Sequence, residues 1–298
     1  MKYLVLLLIA VIWGSQFVLN DTALQIVSPF ELAFYRVLFG FFALSTIIYF
    51  SSDKKKKLVW TKDLRVLLVL LTLFESVIPL VLNAYGQQQV SSSITAVLMA
   101  SIPITTLVLE KIFNNRSIQR IELTGIVIGM VGLVFLVYPD LMLTKTMHYS
   151  AVLFILLGAF CFALALIIIT RIPKEVSSLR FTRAVLFVSS VTLLPMIFIE
   201  HNTTKITTDL WLQLILLGSL ASGVVYFLYL FLVRTSGAVF TSLTNFIVPI
   251  VGVFLGIFIK KDPFILVQYV GFGIILFGLV LINFPSLKTS KRECNKYD

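Results

Sequence analysis

Charged residues are scarce in this 298-residue chain. Asp, Glu, Lys and Arg together make up 13% of it, whereas hydrophobic residues make up 59% and the mean hydropathy is +1.02. Soluble domains carry about 25% charged residues. The deficit therefore excludes an ordinary soluble domain and places the chain among membrane proteins.

Cysteine and histidine are scarce too, with two residues of each. Cys161 in an apolar stretch and Cys294 near the C-terminus cannot build a disulfide framework, so a core thiol and a solvent thiol are expected. His148 and His201 fall in expected outside loops, which predicts no metal centre and no histidine-based catalytic site within the membrane. The HExxH, P-loop and G-x-S-x-G patterns are absent as well. We therefore expect no enzyme, no cofactor and no ATP-driven pump.

Long apolar runs fill most of the sequence. A membrane-spanning helix needs about 20 apolar residues, and ten runs of about this length predict an all-α membrane protein with ten transmembrane helices. The first run, MKYLVLLLIAVIWGSQF, is interpreted as a retained helix, because it lacks a small-x-small cleavage site and nine more runs follow. The ten expected spans are 3–19, 29–50, 64–85, 91–112, 118–138, 150–170, 181–199, 210–232, 237–259 and 264–284.

The net charge of +10 is distributed unevenly. With a cytoplasmic N-terminus, 18 of the 24 lysine and arginine residues fall in inside segments, four in outside loops and two near membrane ends. This bias follows the positive-inside rule and predicts that both termini are cytoplasmic in a cell (inner) membrane protein. The KKKK run at 54–57 is interpreted as an orientation signal beside anionic lipid headgroups, so no nucleic-acid partner is expected.

The chain resembles itself at an offset of 146 residues, where 92–139 aligns with 238–285 without gaps. The sequence therefore predicts a first repeat at 1–140, a second at 145–285 and a short cytoplasmic tail at 286–298. Each repeat holds five spans, and because five is odd, the second repeat enters the membrane in the opposite sense. Inverted repeats of this kind build many secondary transporters, with the substrate site near the bilayer midplane. The most informative matched pairs are Thr95/Thr241, Pro103/Pro249, Gly125/Gly271, Gly132/Gly278 and Pro139/Pro285.

Four stretches together resemble the EamA family of the drug/metabolite transporter superfamily. They are WGSQF at 13–17, SPFELAFYR at 28–36, SGAVFTSLTNFIVPIVGVFLG at 236–256 and GFGIILFGLVLIN at 271–283. The resemblance implies ten helices with both termini inside. It also implies a central cavity lined by the first, third and fourth helices and their second-half counterparts. Movement of amino acids or other small metabolites, commonly outward, is the implied activity.

Glu75 stands in the middle of the apolar run LLTLFESVIPLVLN at 70–83. An ionisable group at mid-membrane is costly and is tolerated mainly when it faces a cavity or a partner. Pro79 cannot donate a hydrogen bond to the carbonyl of Glu75, so the helix is expected to open there. Two interpretations stay open: a site for a substrate amine or a proton, or a permanently neutral carboxyl bonded to a neighbouring helix. The second-half equivalent is Ala221, so only one half carries the acid.

Further candidates lie on other spans. Pro103 and Pro249 would free the carbonyls of Met99 and Asn245, and together with Pro79 they are predicted kink positions. Aromatic side chains could stack on a ligand or face lipid, and threonine hydroxyls could instead bond back to their own helix. With Glu75, the expected substrate or coupling residues are Asn245, Trp13, Tyr229, Tyr226, Thr241 and Met99.

Two other residue types are assigned to packing and to membrane ends. Glycines of the fifth and tenth spans are expected to permit close helix contact rather than to bind a ligand. Arg36 and Arg183 are expected to snorkel or to pair with neighbouring carboxylates such as Glu31.

The sequence therefore predicts a secondary transporter for small zwitterionic or cationic metabolites, working by alternating access as an exporter. The expected partners are a small-molecule substrate, the lipid bilayer and protons as a candidate coupling ion, in a monomer or homodimer. The alternative is a membrane-embedded sensor or assembly subunit that binds a ligand without moving it. Flux of a labelled metabolite in reconstituted vesicles separates the two.

Overall fold

The computed structural model describes residues 2–51, 58–143, 148–200, 206–260 and 266–294, and this part of the chain is helical with no strand. Two π-helical segments, Thr72–Val77 and Leu217–Val224, and a 3-10 segment, Leu194–Phe198, join α-helices end to end. The α-helices are α1 Lys2–Ala23, α2 Pro29–Phe50, α3 Lys62–Leu71, α4 Ile78–Gln87, α5 Ser92–Met99, α6 Ile102–Asn114, α7 Arg120–Leu143, α8 Tyr149–Ile169, α9 Ser178–Leu193, α10 Thr208–Leu216, α11 Val225–Ser236, α12 Ala238–Ser242, α13 Thr244–Lys260 and α14 Leu266–Cys294.

Seven helical runs in the described residues are long and apolar enough to cross a bilayer, and two shorter apolar helices, Ala238–Gly252 and Leu266–Ile282, accompany them. Large apolar side chains such as Leu4, Phe50 and Phe198 are exposed on the outside of the bundle. An all-helical chain satisfies its backbone hydrogen bonds internally, as the apolar phase of a membrane requires. The fold is therefore that of an integral membrane protein. The seven runs are Lys2–Ala23, Pro29–Phe50, Lys62–Gln87, Ile94–Asn114, Tyr149–Ile169, Ser178–Phe198 and Thr208–Ser236.

Local sequence sets where several helices begin. Ser28 and Glu31 form a capping box at the start of α2, in which the Ser28 hydroxyl accepts from the Glu31 N–H at 3.2 Å and the Glu31 carboxylate accepts from the Ser28 N–H at 2.8 Å. Pro29 follows at the first helical position, where its missing N–H costs nothing. Thr61 caps α3 and Ser177 caps α9 with their side-chain oxygens. These caps hold helix ends that hydrophobic packing alone would leave frayed.

Three apolar cores organise the described part of the bundle, and one of them packs residues of α1, α2 and α10 together. The main core includes side chains from α1, α2, α8, α9 and α11, and the second core joins α6, α7, α12, α13 and α14. The free thiol of Cys161 is buried in α8, as expected for a core cysteine.

Helices α7 and α14 approach at their glycines. A Cβ atom placed on Gly271 would lie 2.5 Å from the backbone N of Leu136 and 2.7 Å from the carbonyl oxygen of Gly132. One placed on Gly278 would lie 2.6 Å from the carbonyl oxygen of Gly125. Because Gly125 meets Gly278 and Gly132 meets Gly271, the two helices run antiparallel along this seam. Gly125, Gly132, Gly271 and Gly278 permit close helix contact, as the sequence predicted, whereas a Cβ atom on Gly273 would meet nothing within 4 Å.

The helical runs are interrupted near the predicted kink positions. The π-helical segment Thr72–Val77 contains Glu75 and ends just before Pro79, which lies in the first turn of α4. Pro103 lies in the first turn of α6, directly after the break between α5 and α6. Pro249 lies inside α13, whereas the neighbouring break falls earlier, at Leu243. The two halves therefore do not break at matching prolines, and Pro249 does not mark the interruption.

Candidate functional site

A cavity lies within the main core, between α1, α2, α4 to α6, α8, α11 and α13. Its wall combines apolar side chains with two chemically distinct groups. The aromatic group comprises Trp13, Phe17, Phe162, Tyr226 and Tyr229. The polar group comprises Gln16, Asn20, Arg36, Asn83, Gln87 and Asn245. A mostly apolar cavity with a few convergent polar groups is the usual form of a small-molecule site.

The aromatic group is centred on Trp13. Its ring centroid lies 4.8 Å from that of Tyr229 and 6.4 Å from those of Tyr226 and Phe162. The indole N–H donates to the carbonyl oxygen of Ala221 at 3.0 Å, so α1 is tied to the π-helical segment of the second half. Trp13, Tyr226 and Tyr229 are 6%, 1% and 2% exposed. The alternative that these rings face lipid is therefore wrong.

Arg36 lines the cavity but was not among the predicted site residues. It is 4% exposed, and its guanidinium donates to Ser222 Oγ at 3.2 Å, Asn20 Oδ1 at 3.3 Å and Gln16 Oε1 at 2.6 Å. The expectation that Arg36 snorkels or pairs with Glu31 is therefore wrong, since none of these partners is a carboxylate. Snorkelling was expected because Arg36 stands only two turns from the start of α2. The signal that could have found it is an arginine inside an expected span.

Two amides extend the polar wall from Arg36. Asn20 Nδ2 donates to Gln87 Oε1 at 3.1 Å, which joins α1 to α4. Gln87 Nε2 and Asn83 Oδ1 are buried and have no hydrogen-bond partner among the described residues. The cavity therefore presents unused hydrogen-bonding capacity to anything that enters it.

Glu75 lies in the π-helical segment and is 3% exposed. Its Oε1 atom finds no hydrogen-bond partner in the described part of the chain, and neither do the hydroxyls of its neighbours Thr72 and Ser76. Glu75 is not among the residues that line the cavity. The carboxyl is thus buried within the bundle but does not line the cavity.

The other predicted residues divide between the cavity and the helix interior. Met99 and Asn245 line the cavity, and Asn245 Nδ2 donates to the Ser242 carbonyl at 3.0 Å. Thr241 does not line it, since its fully buried hydroxyl donates to the Gly237 carbonyl at 2.9 Å within its own helix. A hydrogen bond from a threonine hydroxyl to its own helix is the alternative that the sequence left open.

Metal-ligating side chains do not cluster within the described ranges, where no group of three or more His, Cys, Asp or Glu residues could hold an ion. His148 is exposed just before α8, and His201 lies outside the described residues. The chemistry of the cavity is therefore that of hydrogen bonds, aromatic surface and one buried cation.

Membrane-spanning helices that surround a buried polar and aromatic cavity define the class of this protein as a membrane protein with an internal cavity. The profile of the EamA-like transporter family matches residues 1–138 and 149–284. The chain belongs to this family, whose members are transporters rather than enzymes.

Individual relatives agree with the family assignment. An uncharacterized transporter of Buchnera aphidicola subsp. Schizaphis graminum is 26% identical over 284 residues, which cover 93% of each chain. The uncharacterized transporter YdfC of Bacillus subtilis is 24% identical over 241 residues, which cover 80% of this chain and 76% of that one. The uncharacterized inner membrane transporter YedA of Escherichia coli K12 is 25% identical over 197 residues, covering 66% and 63%.

A solved crystal structure shares the fold. It superposes with a TM-score of 0.74 over 97% of this chain and 98% of that chain, at 11% sequence identity. The two chains therefore share a fold at low sequence identity.

Proposed function

We propose that this protein is a secondary transporter that moves small zwitterionic or cationic metabolites across the cell membrane by alternating access, in the outward direction. The observation that carries the proposal is the buried cavity, in a chain that belongs to a transporter family. Arg36, the amides and the aromatic group supply polar and apolar contacts for one small molecule. Glu75 is the site for a substrate amine or for a coupling proton.

Alternating access requires two units that can move against each other around a fixed site. Residues from both proposed repeats line the cavity. Trp13, Arg36 and Gln87 belong to the first repeat, and Phe162, Tyr229 and Asn245 belong to the second. Rocking of one half against the other would expose this site first to the inside and then to the outside.

Several observations support ten spans in two inverted repeats at 1–140 and 145–285. Joining consecutive helices through the π-helical, 3-10 and broken segments gives ten helical rods in the described residues. The π-helical segments Thr72–Val77 and Leu217–Val224 occupy corresponding positions under the 146-residue offset. The glycine seam agrees, because the offset turns the contact of Gly125 with Gly278 into that of Gly271 with Gly132. Such an exchange is what a two-fold axis between the halves produces.

Reconstituted vesicles test the transport activity. Purified protein in liposomes is expected to move a labelled amino acid or a small amine across the bilayer without ATP, and a pH gradient is expected to change the rate if protons are coupled. Binding of the same compound without flux would favour the sensor alternative instead. Vesicles without protein and vesicles with heat-denatured protein are the controls.

The proposed topology predicts where fused reporters are active. Lys56, Lys145, Lys205 and Asp298 lie outside the described residues and fall in the expected loops and the tail. Reporters at Lys56 and Asp298 are expected inside, and reporters at Lys145 and Lys205 outside, because the basic residues concentrate in the inside segments. Activity of an extracellular reporter at Asp298 would contradict both the count of ten spans and the inverted repeat.

A further inference from the structure

We propose that the outer face of α3 forms a binding site for one anionic phospholipid, in the leaflet at which this helix begins. Lys62 and Arg65 hold the phosphate of the headgroup, and an acyl chain lies along the apolar side chains that follow. This site is separate from the central cavity, because none of its side chains lines that cavity. It therefore does not depend on the transport function proposed above.

A shallow groove runs along α3 and joins a charged surface to an apolar one. Because an α-helix turns once every 3.6 residues, positions three to four residues apart lie on the same side. Leu64 and Leu71 are buried on the side of α3 that faces the bundle, whereas Val66 and Val69 are half-exposed on the outer side. The groove is lined by two basic and three apolar side chains, which are Lys62, Arg65, Val66, Val69 and Leu70.

The charged end of the groove holds two cations without an acidic partner. Lys62 and Arg65 are exposed, and neither forms an ion pair with an acidic side chain in the described ranges. Arg65 Nη2 donates to the carbonyl oxygen of Trp60 at 3.3 Å, which uses one of its five N–H groups. Asp63 lies between them in the sequence but does not line the groove. A negatively charged group is therefore the complementary ligand for this end.

Trp60 indicates that the two cations lie at the depth of the lipid headgroups. Tryptophan is enriched at membrane–water interfaces, where its ring meets both hydrocarbon and water. The Trp60 ring is exposed, and its centroid lies 6.4 Å from that of Phe181 in α9. Because Trp60 also accepts a hydrogen bond from Arg65, the guanidinium is kept close to this interfacial ring.

The apolar part of the groove fits within one leaflet. A helix rises 1.5 Å per residue, so Lys62 and Leu70 are about 12 Å apart along the axis of α3. Half of a hydrocarbon core of about 30 Å is about 15 Å. An acyl chain below the headgroup can thus contact Val66, Val69 and Leu70 together. Free phosphate, an acidic peptide or a nucleic acid would leave these apolar side chains unused, so a lipid matches the whole groove.

The first test measures lipid binding to unchanged protein by native mass spectrometry. Protein that has been stripped of lipid in detergent is titrated with phosphatidylglycerol or with phosphatidylcholine that carries the same acyl chains. One phosphatidylglycerol molecule is expected to bind roughly tenfold or more tightly than phosphatidylcholine, because each basic residue near an anionic lipid contributes about fivefold. Equal affinity for the two lipids overturns the proposal.

Variants then assign the lipid to the cations of α3. The double variant Lys62→Gln/Arg65→Gln is expected to bind phosphatidylglycerol roughly tenfold or more weakly, and each single variant about fivefold more weakly. Lys111→Gln/Arg120→Gln is the matched control, since it removes the same charge from two exposed residues outside the groove. The control should bind as unchanged protein does. Equal losses in the two double variants would show attraction to net charge alone and contradict a site on α3. The unfolding midpoint without lipid checks that each variant is folded.

A third comparison tests whether the acyl chain is bound as well. Val69→Trp keeps both cations but fills the groove, so it is expected to weaken the binding of phosphatidylglycerol about fivefold. Val127→Trp, at a half-exposed valine of α7, should have no such effect. Glycerophosphoglycerol carries the same headgroup without acyl chains, and it should not displace the lipid at equal concentration. Displacement by this soluble compound, or full binding in Val69→Trp, would reduce the site to a phosphate site and overturn the proposal.

Discussion

Replacing Glu75 with glutamine is expected to leave the protein folded and inserted but to reduce flux roughly tenfold to a hundredfold and to remove the pH dependence of the remainder. Glutamine keeps the shape and the hydrogen-bonding capacity of the side chain but cannot ionise. The contribution that is lost is the charge-assisted contact with an amine or the exchange of a proton, and a hydrogen bond to a charged group is worth about 1.5–3 kcal/mol. The structural basis for this expectation is that Glu75 is buried and that its Oε1 atom has no hydrogen-bond partner among the described residues.

The measurement is flux in vesicles at equal protein content over a range of pH values. Glu110→Gln is the matched control, since Glu110 is also buried but is held by Asn114 at the end of α6, away from the cavity. It should transport normally. Glu75→Leu addresses the structural alternative: if Glu75 only forms a hydrogen bond within the bundle, Glu75→Gln is silent and Glu75→Leu lowers the folded yield. Wild-type flux with a wild-type pH profile in Glu75→Gln would end the functional interpretation.

Replacing Gly271 with alanine is expected to destabilise the protein by about 1–3 kcal/mol, the usual cost of overpacking a tight contact. The added Cβ atom would collide with backbone atoms of Leu136 and Gly132, and backbone cannot move aside as a side chain can. The sign of the change in the free energy of unfolding is informative, because alanine is more favourable than glycine inside a helix by about 1 kcal/mol. Steric conflict must therefore outweigh a gain in helix propensity.

Gly273→Ala, on the same helix, is the control for this experiment. A Cβ atom at Gly273 would meet nothing within 4 Å, so the substitution should be neutral or slightly stabilising. The midpoint of thermal unfolding in detergent and the yield of monodisperse protein measure both variants. Equal stability of the two variants would contradict the close packing of α7 against α14. If the halves are related by a two-fold axis, Gly125→Ala should behave like Gly271→Ala.

Much of the fold could be predicted because membrane insertion depends on local composition. Apolar runs of sufficient length and the helix-opening effect of Pro79 act over one helix at a time. Pro249 differs from Pro79 and Pro103, since it lies inside α13 while the neighbouring break falls at Leu243. A proline removes one hydrogen bond, but neighbouring helices decide whether the helix breaks there.

The site was predicted less completely, for a physical reason. In a soluble helix the polar face marks the side exposed to water, but in a membrane both the protein interior and the lipid are apolar. Periodicity therefore could not tell that Tyr226 and Tyr229 face a cavity, or that the Thr241 hydroxyl bonds within its own helix. Glu75 was found because a charge in an apolar run is conspicuous. Arg36 was conspicuous as well, but its short distance from the helix end favoured snorkelling.

The sequence by itself determined that the protein lies in a membrane, that it is helical and that it resembles the EamA family. Hydropathy, span length and the EamA-like motifs are properties of consecutive residues. Only the tertiary structure decided which polar groups meet. Arg36 reaches Ser222 in the other half, Asn20 turns toward Gln87, and Trp13 donates to the Ala221 carbonyl. These contacts join residues far apart in the chain, and their geometry depends on how the helices pack, which no single run of residues encodes.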